Sequence, residues 1–297
     1  MSAVKSIIVG RPSGRGGALK GALHRQQGFT LIESILVIVI TGVIAGVVAV
    51  FMQSPVTGYF DTVRRAELSD TADTALRRIA RDLHAALPNS VRVLTSGGVA
   101  YLELFPAQVG ARYLLDTASE SCFIGGCSGL TTLGSAIAAD GRYVGESLVI
   151  FNYYNNSGND CSSSLPSAYC GQNRATISSS VDGGSQDTFS FAAAKRFYPA
   201  GGSPGRRLHI VSPPVSYVCD PATGLLTRYA GYGINAAQST TFAGASSALL
   251  AKHVSACSFK YQPGVWERTG LATLRLSLTD HGETVSLYHE VHVDNSP

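Results

Sequence analysis

A single carboxylate, Glu33, stands inside a 24-residue apolar run, FTLIESILVIVITGVIAGVVAVFM, at residues 29–52. Placing a charge at mid-membrane costs roughly 2.5–3.5 kcal/mol on insertion scales, and less toward the surface. Such a group persists where it has a partner, and the run contains no basic residue to supply one. A partner on another chain is therefore expected; snorkelling to the membrane interface is the plainer alternative. Gly42 and Gly46 form G-x-x-x-G, a spacing that lets helices approach closely in lipid. Ordinary membrane-helix composition explains that pair equally well.

Six cysteines offer a second kind of chemistry. Cys122-x4-Cys127 and Cys161-x8-Cys170 are not zinc spacings and have no partnering histidines, so no metal is expected. Outside the cytoplasm cysteines tend to pair. Cys122 with Cys127, and Cys161 with Cys170, lie in Gly- and Ser-rich stretches where a small ring closes easily. That leaves Cys219 with Cys257, the largest loop, worth roughly 3–4 kcal/mol on chain-entropy grounds.

Other motifs carry less. Gly201-Gly202-Ser203-Pro204-Gly205 fits the nucleophile-elbow pattern, but prolines at 199 and 204 forbid the strand–turn–helix it needs. Gly231-Tyr232-Gly233-Ile234-Asn235-Ala236 fits a dinucleotide fingerprint without a βαβ unit around it and reads as a turn. His289 and His292, three apart on a predicted strand, point to opposite faces and cannot share a metal. No acid pair or Ser/His/Asp set has context, so no enzyme activity and no cofactor is expected.

The elements that would hold these residues follow from periodicity. Residues 29–52 make a helix of about 36 Å, longer than the ~30 Å hydrocarbon core. Lys5, Arg11, Arg15, Lys20 and Arg25 precede it without an acid, which places the N-terminus in the cytoplasm and the remainder outside. The run is too long for a cleavable secretory signal and lacks a small-x-small site. From 53 to 87 the pattern turns amphipathic: Leu68, Ala72, Ala75, Leu76, Ile79, Leu83, Ala86 and Leu87 recur at helical steps, with Arg77, Arg78, Arg81 and Asp82 opposite. Pro55 and Gly58 predict a kink or loosening near the join, and Pro88-Asn89 a stop. Beyond lie predicted strands at 91–94, 99–105, 148–154, 208–211, 215–219 and 225–229. A C-terminal hairpin buries Leu274, Leu276 and Leu278 against Val285, Leu287, His289, Val291 and Val293. The stretches 116–147 and 155–206 read as long loops. The fold class is α+β: a long N-terminal helix packed on a mainly antiparallel sheet head with long loops. The domains are 1–28 as a leader, 29–87 as the helix and 88–297 as the head.

Composition narrows the function classes. Hydrophobic residues make up 45% of the chain, which excludes disorder, while charged residues reach only 14% against roughly 25% in ordinary soluble domains. The net charge of +3 resides in the leader; the remainder holds 18 basic against 20 acidic residues. Nothing supports a nucleic-acid-binding body.

Gly28-Phe29-Thr30-Leu31-Ile32-Glu33 followed by the apolar run resembles the processing site of type IV prepilins. The resemblance implies that a prepilin peptidase cuts between Gly28 and Phe29 and that the new amine of Phe29 is methylated. A side-chain-free glycine there lets a protease approach the backbone closely. The resemblance also supplies the missing partner for Glu33, the free amine of Phe29 on a neighbouring subunit, and places the helices in a packed filament core. Many pilins carry a helix-breaking proline further along the run; this chain has Val50 in that neighbourhood and Pro55 beyond it, which shifts or removes the melted segment. The 28-residue leader exceeds the family's usual short ones, consistent with a long leader or a later start such as Val9.

Residues 81–92, RDLHAALPNSVR, look like the helix end of large J- and W-type minor pilins. With 215–219, 225–229 and 291–297 they are most similar to the O-type minor pilins of the mannose-sensitive haemagglutinin (MSHA) pilus. The implied protein is a single-pass inner-membrane minor pilin with a periplasmic head, co-assembled near the filament tip to prime pilus biogenesis. Its implied partners are the peptidase, other minor and major pilins, the inner-membrane assembly platform and membrane lipid. The alternative is a loop-rich head acting as adhesin or DNA-capture module. Tyr153, Tyr154, Tyr169, Phe197 and Tyr198 keep surface or glycan binding open, while Lys195-Arg196 and Arg206-Arg207 are the only basic concentration.

Overall fold

The computed structural model describes residues 28–158, 161, 166–264 and 269–296. Residues 1–27 of the leader, with its five basic residues and Val9, lie outside the described residues. The chain forms two compact units that divide between Thr57 and Gly58.

One helix, α1 (Leu31–His84), contributes to both units. In the first unit its apolar side chains are exposed; Ile38 is 69% and Val43 62% accessible. Among the described residues it is the one helix long and apolar enough to cross a membrane. The helix runs through Pro55 and Gly58 without a break, so the predicted loosening does not interrupt it. The helix ends at His84, three residues before the predicted boundary. Ala86 instead forms an antiparallel bridge with Pro106, and the Leu87 N–H donates to the Phe105 carbonyl at 2.8 Å. A strand partner thus takes over the last turn before Pro88 can act.

In the second unit the stripe from Leu68 to Leu83 is buried, with Ala72, Ile79 and Leu83 fully so. It packs on two antiparallel sheets. The first has five strands in the order β1 (Arg92–Ser96), β2 (Val99–Leu104), β9 (Val215–Asp220), β10 (Leu225–Ala230), β11 (Ser246–Ala251). The second is β12 (Val254–Gln262), β13 (Gly270–Asp280), β14 (Glu283–Val293). Leu102, Tyr217, Leu226, Leu274, Leu276 and Leu278 meet the helix in one core. The hairpin β13–β14 turns through His281 and Gly282, with φ of 46° and 87°, the positive pair that a two-residue turn requires. The Cys219–Cys257 disulfide, Cα–Cα 6.5 Å, links β9 to β12 and so joins the two sheets.

Asp82 corrects the predicted helix face. Its carboxylate is 12% exposed and turns inward, accepting from the Tyr217 hydroxyl at 2.6 Å and from Arg228 Nε at 2.9 Å. Helical spacing alone put it with the solvent-facing arginines. The predicted strand at 148–154 also shortens, to β5 (Ser147–Ile150), because Phe151 takes φ 51° and leaves the extended region.

The larger correction concerns the two stretches read as loops. They hold α2 (Thr117–Ile124), β4 (Cys127–Thr131), β6 (Arg174–Val181) and β7 (Thr188–Lys195). With β3 (Ala107–Arg112), β5 and β8 (Arg207–Val211) these strands form a six-stranded antiparallel sheet, β3-β8-β5-β6-β7-β4. Its two ends meet: Tyr113 bridges Thr132, with Leu114 N–H to the Thr131 carbonyl at 2.8 Å and Leu133 N–H to the Arg112 carbonyl at 2.7 Å. The sheet therefore curls into a small barrel, joined where the ends of β3 and β4 meet at this bridge. Its interior is filled by Leu148, Ile150, Ile177, Phe189, Phe191 and Ile210, with Cys122 and Phe123 of α2 packed among them. The barrel is an insertion, because β2 and β9 on either side of it pair directly, Leu104 opposite Val215.

Candidate functional site

At the start of α1, Thr30 has left the helix while its carbonyl already accepts from Ser34 N–H at 3.1 Å. Its hydroxyl accepts from the Glu33 N–H at 3.3 Å, so Thr30 caps the helix. Thr30-x-x-Glu33 has the capping-box spacing, and the carboxylate sits in the first turn, where the helix dipole favours negative charge. Phe29, 80% exposed, immediately precedes the cap. Among the described residues no side chain pairs with the Glu33 carboxylate, and the site holds no cation of its own. A Cβ added at Gly42 or Gly46 would meet no atom of the chain, so nothing within the subunit requires glycine at either position.

Residues 23–49 match the prokaryotic N-terminal methylation motif. This is a prepilin-type N-terminus. No match was found among curated proteins or solved structures. The matched segment takes in Gly28, Phe29, Glu33, Gly42 and Gly46. A prepilin-type motif on a single apolar helix fits an inner-membrane anchored pilin-type protein, a class whose members associate with other pilins and with the prepilin peptidase.

The remaining candidates of the prepilin-type chain are spread through the head. The cysteines are bonded as Cys122–Cys127, Cys161–Cys170 and Cys219–Cys257. His289 lies on the half-buried face of β14, while His292 is exposed, 3.3 Å from Thr269 Oγ1. Among the described residues no three His, Cys, Asp or Glu gather as a metal site. The loop at 201–205 follows a cis Tyr198–Pro199 bond and precedes a strand, not a helix. The basic concentration is dispersed: Lys195 Nζ donates to the Gly171 carbonyl, and Arg196 lies 5.1 Å over the Tyr198 ring.

Sequence reasoning missed a buried polar cluster. Arg92 and Glu103 are direct cross-strand partners on β1 and β2, and both side chains are 1% exposed. Arg92 Nε donates to Glu103 at 2.6 Å; Nη1 donates to the Ala236 carbonyl at 2.6 Å and Nη2 to the Asn235 carbonyl at 3.0 Å. Its guanidinium stacks 3.5 Å over the Tyr169 ring. The Tyr232 hydroxyl donates to the other Glu103 oxygen at 2.8 Å. Burial first, and then the Glu103 charge, raise Tyr232 far above the usual phenol range, so it remains a donor. Burial also raises Glu103, against the opposing pull of Arg92 and Tyr232. The residues that look like a dinucleotide fingerprint, 231–236, thus wrap this ion pair. The cluster ties β1 to the barrel through Tyr169, whose hydroxyl donates to the Ser90 carbonyl at 2.9 Å.

Proposed function

We propose that the chain is a minor pilin of a type IV pilus of the MSHA type, installed near the filament tip to prime assembly. The observation that carries the reading is the methylation motif over residues 23–49, with Gly28-Phe29 and Glu33 at the head of an exposed apolar helix. On this reading the peptidase hydrolyses the Gly28–Phe29 bond on the cytoplasmic side, and the amine of Phe29 receives a methyl group. The apolar half of α1 then moves from inner membrane to filament core, with the head on the periplasmic side. Gly42 and Gly46 let a neighbouring helix approach. Glu33 captures the Phe29 amine of the subunit above it, which puts this chain beneath the extreme tip.

Intact-mass measurement and N-terminal sequencing of membrane-extracted protein test the reading. The expected mature chain begins at an N-methylated Phe29, and Gly28→Lys leaves the precursor uncut. A mature start at any other residue rejects the prepilin assignment. The minor role is tested by deleting the gene and imaging surface pili: complementation restores piliation if the subunit primes assembly.

A further inference from the structure

A cleft of about 250 Å³ opens where the barrel meets the sheets that carry it. One wall is the segment following β5, with Tyr153, Tyr154 and Asn155; the others are Asn89 after α1 and Tyr261 of β12. We propose that this cleft binds a single ring of a neutral saccharide. The proposal goes beyond the pilin reading and does not depend on it.

The lining decides the class of ligand. Among the described residues its one ionised side chain is Arg92, already engaged by Glu103 and by backbone carbonyls, so these residues offer no free charge to an ionic ligand. What remains is neutral hydrogen-bonding capacity. The Tyr153 and Tyr154 hydroxyls have no protein partner among the described residues. Tyr261 accepts from Asn295 Nδ2 at 2.7 Å, which leaves its own O–H to donate. Asn89 Nδ2 is engaged by the Asn152 and Asn295 carbonyls at 3.0 and 3.1 Å, leaving Oδ1 as an acceptor. Aromatic faces are electron-rich and attract the polarised C–H groups of a pyranose, while hydroxyls in the ring plane match donors and acceptors of both kinds.

The cleft is also held in shape before any ligand arrives. The Tyr153 and Tyr154 N–H groups both donate to the Pro166 carbonyl, at 3.1 and 3.2 Å, and Phe151 stacks on Tyr153 at 5.9 Å. Asn155 Nδ2 anchors the segment to the Val91 carbonyl at 3.1 Å. Its volume lies just below the roughly 300 Å³ at which drug-sized pockets begin, which suits one sugar ring. A proline-rich peptide in polyproline II form rises about 3.1 Å per residue and needs an elongated groove.

The test is saturation-transfer-difference NMR on the full-length protein in a sugar-free detergent. The probes are neutral hexoses, N-acetylhexosamines, a charged sialic acid and a proline-rich peptide. The expected result is saturable transfer from at least one neutral sugar, with its ring C–H protons most strongly saturated. Tyr153→Ala and Tyr154→Ala each weaken binding about tenfold, while Tyr154→Phe retains the ring contact. Ser157 is exposed at the rim, so Ser157→Trp fills the cleft without removing a ring and is expected to block binding. Near-UV circular dichroism shows which variants are folded. No transfer from any neutral sugar overturns the proposal, as does preference for the charged sugar or the peptide, or binding unchanged in folded Tyr153→Ala and Ser157→Trp.

Discussion

Glu33 and the Arg92–Glu103 pair are both carboxylate problems, solved in different ways. Glu33 has no partner within the described chain, so its use is argued between chains. Glu33→Ala makes the first turn more apolar; membrane insertion and cleavage at Gly28 are expected to persist while incorporation into pili fails. Immunoblots of sheared pili against the membrane fraction check this, and a strain piliated with Glu33→Ala subunits removes the carboxylate from the capture step. This residue was legible in the sequence because a charge inside an apolar run is conspicuous. Arg92 and Glu103 were not, because two opposite charges eleven residues apart look like ordinary surface residues until the β1–β2 register sets them face to face. Glu103→Gln leaves a buried guanidinium without its counter-charge and is expected to cost about 3–5 kcal/mol. Arg92→Met with Glu103→Leu removes both charges together and is expected to recover most of that loss; urea titration of the oxidised protein measures both.

Among the elements, legibility tracked the contrast between the two sides of each. The C-terminal hairpin alternates Leu and Val with polar residues over two eleven-residue strands, among them Arg275 and Glu290, so its buried face showed in the sequence. In β6 and β7 the inward residues also alternate, Ala175 with Ile177 and Phe189 with Phe191, but their outward neighbours are Ser, Thr and Ala. With small Ser, Thr and Ala filling most of the outer side, and with a Gly-containing connection between them, these strands resembled loops. The barrel also carries an acid-sensitive group in β8. Burial first, then Arg207, lower His209 below the usual histidine range, and Asp294 opposes them weakly. Above about pH 6.5 the imidazole is neutral in both folded and unfolded chains, so it costs nothing. Below that, the unfolded chain gains a proton that the half-buried ring resists, and stability falls as pH drops from about 6.5 toward the folded value. Urea midpoints between about pH 8 and 5 are expected to show this decline, and His209→Gln to flatten part of it.

At the scale of the whole molecule, the barrel sits inside another fold without interrupting it. Residues 105–214 leave from Leu104 and return at Val215, which are already hydrogen-bonded neighbours, so a short turn can join them. The two sides also keep separate cores: the helix with its sheets around Ile79 and Leu276, the barrel around Phe189 and Ile210. A seam connects them, built from Leu87, Phe105, Val149, Tyr169 and Val211. Replacing 105–214 with a two-residue glycine-containing turn is therefore expected to yield a frame that still folds and still forms the Cys219–Cys257 bond. Leu87 of the seam and Arg92, which stacks on Tyr169, lose their cover in this variant, so stability falls even though the core is intact. The excised segment accounts for 110 of the 240 residues from Gly58 to Pro297. Because the denaturant slope scales with the surface exposed on unfolding, it is expected to fall to somewhat over half its original value, with one cooperative transition. A frame that fails to form the disulfide, or that melts without cooperativity, would mean that the barrel is part of the folding core. A folded frame still taken into pili would separate the task of assembly from whatever the barrel and its cleft display.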